Sequence, residues 1–143
     1  MPSPIVISTA ATTELQSAPI TPSWIVSGSP AARNKLMALS DDRTSYVMVW
    51  DCAPGQFNWH YSEDETVVIV SGEVFITDDK GERRLGPGDF AFFPAGCTCK
   101  WRVTSHVRKV AVLRTALPSP VAFALRAWNK LLKLLGIRGQ APL

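Results

Sequence analysis

Two side chains with metal-ligand chemistry lie five residues apart in this chain, His60 and Glu65, and a third, Cys99, lies downstream. An imidazole nitrogen, a carboxylate and a thiolate form a donor set that Zn²⁺ accepts, with a fourth position left for water. Such a water would act as nucleophile or base near neutral pH. Asn58 would add an amide oxygen, which beside a thiolate suits Mn²⁺ or Fe²⁺ less well. The same residues also admit a reading without chemistry. His-x4-Glu is an unspecific spacing, and cysteine is commonly buried as a small apolar side chain. A buried Glu65 would then need a cationic partner, for which Lys109 is available. Cys99 as a nucleophile activated by His60 stands against the same plain reading of a core thiol.

These residues would be positioned by strands. Short β-branched and aromatic runs recur from Ser45 to Thr115, each bounded by Gly, Pro or Asp. That spacing predicts an all-β sandwich or barrel. Alternation along a strand decides which side chains face inward. If His60 faces in, Asn58 does too, while Trp59 and Tyr61 face out. Glu65, Val67 and Ile69 share one face, as do Cys99, Trp101 and Val103, and Lys109, Ala111 and Leu113. The expected lumen is lined by Asn58, His60, Glu65, Cys99, Trp101 and Lys109, with Trp50 nearby.

The rest of the chain divides into three parts. Residues 1–22, rich in Ser, Thr, Ala and Pro, read as a loosely ordered arm, with a short strand at Ile5 to Ile7 able to pair with a sheet edge. Residues 23–115 are the barrel, where Ser29-Pro30 has the form of a helix start. Residues 119–136 change to a helical period, with Leu125, Trp128, Leu132 and Leu135 on one face and Arg126, Lys130 and Lys133 on another. Gly136 is placed to end this helix. A basic amphipathic helix fits either an anionic membrane surface or a protein surface. Packing on the open barrel or on a partner subunit is the expectation here.

Composition excludes several classes. Of 15 basic residues, four lie from Ala116 onward with no acidic residue among them, leaving the remainder with eleven basic against twelve acidic. The basic character belongs to the tail, so nucleic-acid binding is not expected. Three cysteines, with neither a signal-like N-terminus nor a long apolar run, predict reduced thiols, a cytoplasmic location and no transmembrane segment.

Two glycine-framed stretches carry a family resemblance: Gly55 to Gly72, and Gly86-Pro87-Gly88-Asp89 to Phe93-Pro94-Ala95-Gly96. They resemble the two cupin motifs, G-x5-H-x-H-x(3,4)-E-x6-G and G-x5-P-x-G-x2-H-x3-N. Glu65 and Gly72 match the end of the first. His60 falls on the second histidine position when four residues precede the glutamate, and Asn58 falls on the first. Gly88, Pro94 and Gly96 match the second motif, with Cys99 and Val103 in place of its histidine and asparagine. Fifteen residues separate Gly72 from Gly88, a short inter-motif hairpin. Together with Trp50, Trp59, Gly72-Glu73-Val74, Trp101 and Val107-Arg108-Lys109, the wording is similar to the small single-domain cupins related to the cupin domain of (S)-ureidoglycine aminohydrolase.

The resemblance implies a jelly-roll barrel, to which the periodicity adds the C-terminal helix, a homodimer, and one divalent metal (Zn, Mn or Fe) held by His60, Glu65 and Cys99. Only one of the three family histidines remains. The function expected is therefore either a metal-assisted hydrolase or isomerase of a small polar substrate, or a metal-free binding or interaction module.

Overall fold

The computed structural model describes residues 1–137. Among them, eleven strands form two antiparallel sheets facing each other as a jelly-roll sandwich. The first six strands are β1 (Gln16–Ser17), β2 (Ile25–Gly28), β3 (Ala32–Leu39), β4 (Ser45–Cys52), β5 (Gly55–His60) and β6 (Asp64–Gly72). After them come β7 (Val74–Asp78), β8 (Gly81–Leu85), β9 (Phe90–Phe93), β10 (Thr98–Val103) and β11 (Val107–Arg114). One sheet has the order β1-β3-β4-β11-β6-β9 and the other β2-β5-β10-β7-β8. A helix, α1 (Ser119–Leu134), follows the last strand.

The core lies between the sheets and is aromatic at its centre. Phe57 and Trp101, fully buried, stack at 5.9 Å, and Tyr61 stacks on Phe93 at 4.4 Å. Such offset ring pairs add to what area burial alone supplies. Trp101 Nε1 donates to Tyr61 Oη at 3.1 Å, so the buried indole keeps a hydrogen-bond partner.

The arm is attached to the barrel at several points. Residues 5–7 form no strand and are exposed. Instead β1 pairs with β3 and forms the edge of the six-stranded sheet, and Leu15 and Ile20 are buried. On the outer face of the six-stranded sheet, Arg108 Nε donates to Ala10 O at 2.8 Å and a second guanidinium nitrogen donates to Thr13 O. Residues 29–31 form no helical turn: Pro30 is buried against Gly55, and the chain continues directly into β3.

Arg108 belongs to a charge cluster around Asp51. The buried Asp51 carboxylate accepts from Arg33 at 2.6 Å and lies 3.5 Å from both Arg108 and His106. Burial alone would raise its pKa. The Arg33 hydrogen bond and charge, helped by His106, outweigh this and hold it below the ordinary 3.8. A depressed carboxyl stabilises the fold fully above its ordinary pKa, and that contribution is lost as pH falls through the lowered value. Denaturant stability measured against pH is therefore expected to fall on acidification below 3.8, and the fall should be shallower in Asp51→Asn.

The helix α1 does not cover the barrel of its own chain, as none of its residues is buried. Pro118 occupies the cap position without a side-chain hydrogen bond, so Ser119 is the first helical residue and not the cap. Gly136 follows the C-terminal end in a left-handed conformation (φ 68°). Among the described residues, no helix is long and apolar enough to cross a membrane.

Candidate functional site

The strand register corrects the inward set. In an antiparallel pair, directly opposed residues share a face. Cys99 opposes Trp59 and Trp101 opposes Phe57, while Lys100 opposes Asn58 and Thr98 opposes His60. Cys99 and Trp101 are buried, so Trp59 and Phe57 face inward with them. Asn58 and His60 are therefore on the outer face and exposed. The physical reason is a shift of one residue. The first cupin motif permits three or four residues before its glutamate, and the shorter spacing puts Trp59 and Tyr61, not Asn58 and His60, at the two histidine positions.

His60 Nδ1 lies 2.9 Å from Thr98 Oγ1, and its ring meets Trp24 edge-on at 5.0 Å. It borders a separate cleft of about 180 Å³, which Glu65 also lines, with Tyr46 and Glu63. Among the described residues, no three His, Cys, Asp or Glu side chains gather closely enough to hold a metal ion. The donor set at the inward motif positions (Trp59, Tyr61, Glu65, Cys99) lacks imidazole nitrogen and offers one carboxylate. It does not fit a divalent metal of the Zn, Mn or Fe type.

A buried ion pair stands next to these positions. Lys109 Nζ is 3.1 Å from Glu65 Oε2, and both side chains are less than a tenth exposed. The ammonium also lies over two indoles, 4.7 Å from the Trp50 ring and 4.6 Å from Trp101. Desolvation strengthens such cation–π contacts. The two residues lie on neighbouring strands of one sheet. Lys109 is paired with Ile69 and Glu65 with Leu113, so the lysine stem runs along β6 to reach the carboxylate.

Above this pair is a cavity of about 290 Å³. It is lined by Asn34, Met48, Trp50, Trp59, Glu65, Lys109, Ala111 and Leu113, with Ala18 and Pro19 of the arm at its edge. Of the residues singled out from sequence, the structure brings Trp50, Glu65 and Lys109 together here, with Trp101 beneath the ammonium. Asn58 and His60 are not among the lining residues. Cys99 lines a different groove of about 620 Å³ near β8 and β9. That groove is larger, but its two arginines are already engaged, Arg83 with Asp78 and Arg84 with Glu73 at 2.6 Å each. Sequence reasoning missed Trp59, Met48 and Asn34 as lining residues. Met48 shares a face with Trp50 two residues on, and Asn34 opposes Trp50 on β3, a strand not foreseen.

Burial pushes the Cys99 thiol up to about 11 and the Cys52 thiol up to about 12. Neither is activated as a nucleophile, because the thiolate is the reactive form. With an aromatic disulfide reagent near neutral pH, the native protein is expected to react slowly and only at the half-exposed Cys97. All three thiols should react once the chain is unfolded.

Comparison with known proteins places this geometry. A family model for the EutQ-like cupin domain matches residues 39–111, half of the chain. No curated protein matches. A solved DUF861-family protein of unknown function from Pseudomonas syringae is 26% identical with a TM-score of 0.65, covering 71% of this chain and 44% of that one. EutQ from Clostridium difficile is 19% identical with a TM-score of 0.54, covering 62% of this chain and 65% of its own. A cupin superfamily protein from Desulfitobacterium hafniense is 20% identical with a TM-score of 0.52, covering 59% of this chain and 78% of that one. The chain thus spans less than two thirds of the first two, and the likenesses to EutQ and to the Desulfitobacterium protein show the fold alone. From the family match over half its length, carried on a jelly-roll of matching architecture, the chain belongs to the EutQ-like cupin domains.

Proposed function

We propose that this cupin domain is a metal-free binding module whose pocket holds a small ligand with an apolar body and one polar or anionic group. The observation that carries this reading is the Lys109 ammonium bonded to Glu65 between the indoles of Trp50 and Trp101. The motif glutamate, a metal ligand in the family pattern, here faces a cation built into the chain. Trp50, Trp59, Met48 and Leu113 supply apolar walls, and Lys109, Glu65 and Asn34 supply the few polar groups that would orient a ligand. At about 290 Å³ the cavity suits a small metabolite more than an extended one.

The hydrolase or isomerase reading needs a metal donor set that the described residues do not assemble. The test is a panel of small carboxylates, amides and amines screened by thermal shift with EDTA present. A ligand that binds the native state raises the melting temperature. The reading predicts such a rise in EDTA, abolished by Trp50→Ala. A rise that appears only with added divalent metal would sink it.

A further inference from the structure

We propose that α1 is an interfacial helix that lays its apolar side on an anionic lipid surface. The helix exposes an unusual amount of apolar side chain. Val121 is 51% exposed, Leu125 47% and Trp128 58%, and no residue of the helix is buried. Val121, Leu125, Trp128, Leu132 and Leu135 recur at three- and four-residue steps along one side. The charges are Arg126, Lys130 and Lys133, spaced four and three apart on the opposite side, with no acidic residue in the helix. A helix with an apolar side that carries a tryptophan, and a basic stripe bordered by Phe123 and Leu134, has the form of one that lies in the plane of a membrane interface. Trp128 adds an amphipathic ring of the kind that partitions to that depth. Sixteen residues make a helix about 24 Å long, enough to lie on a bilayer but short of spanning one.

The sheet of a second copy of the chain is a rival occupant, and charge argues against it. The outer face of the six-stranded sheet exposes Phe90, Phe92, Val68 and Val112. Acidic groups on that face, Asp51 and Asp64, are already bonded to Arg33 and Arg114. A basic helix docked there would find no charge complement, whereas anionic headgroups supply one along its whole length.

Vesicles of phosphatidylcholine alone, and of phosphatidylcholine with phosphatidylserine, test this with the full chain by co-sedimentation. Binding to the anionic vesicles only, weakened by salt, is expected. The paired reversal Arg126→Glu and Lys130→Glu should weaken it by about tenfold or more, and Trp128→Ala should weaken it as well. An unchanged barrel melting temperature will show that these exposed substitutions leave the domain folded. No binding to anionic vesicles, or equal binding to both kinds, would overturn the proposal. So would substitutions that dissociate an oligomer in light scattering while leaving lipid binding intact.

Discussion

Lys109→Met is expected to destabilise the protein by about 3–5 kcal/mol, because it leaves Glu65 as a buried carboxylate without its cation. Both side chains are nearly sealed from water, so solvent cannot replace the lost partner. The methionine fills most of the space of the lysine stem and keeps contact with Trp50 and Trp101, so packing loss contributes little. The contrast lies in the double variant. Adding Glu65→Gln removes the stranded charge, and replacing both members of a buried pair is often close to neutral. Urea unfolding of the two single variants and the double variant should show the double variant more stable than Lys109→Met alone. Additive losses would mean that the two groups do not act as a pair.

Gly72→Ala is the second change with a large expected effect, about 3 kcal/mol or more. Gly72 ends β6 in the left-handed region at φ 74°, where an alanine is strained by about 1–2 kcal/mol. The space is also closed: a Cβ there would stand 1.8 Å from the carbonyl oxygen of His106 and 2.6 Å from its carbon. The obstacle is backbone, held by the Glu73 N–H donating to that same oxygen at 3.0 Å, so no side-chain rotation relieves it. Gly88→Ala is the control. It shares a positive φ of 85°, yet its added Cβ meets nothing within 4 Å. Thermal unfolding should rank Gly72→Ala well below Gly88→Ala. Equal losses would show that the close approach to His106 costs nothing.

Gly72 also shows how much was legible in the chain. Glycines and prolines announce backbone requirements directly, and so the motif residues Gly72, Gly88, Pro94 and Gly96 located the sheets before any contact was known. The inward face of β10 was equally legible, since Cys99, Trp101 and Val103 alternate with Lys100 and Arg102. The inward face of β5 was not. Phe57, Asn58, Trp59, His60 and Tyr61 alternate between two sets that are each compatible with burial, and the motif tolerates both spacings. A one-residue choice there turned every side chain over, and only the rungs to β10 settle it. β2 and β3 carry weak patterns because one lies exposed at an edge and the other is broken by a bulge. The Lys109–Glu65 pair was legible as a need for charge balance, while its route along one sheet depended on register.

The metal-free reading proposed above has the Lys109 ammonium beside Glu65 in place of a metal. The measurement that tests it most directly is metal content of the full chain, purified without chelator and then exposed to Zn²⁺, Mn²⁺ and Fe²⁺ in turn. No stoichiometric uptake is expected in either the native protein or Glu65→Gln. One ion bound per native chain and lost in Glu65→Gln would contradict it.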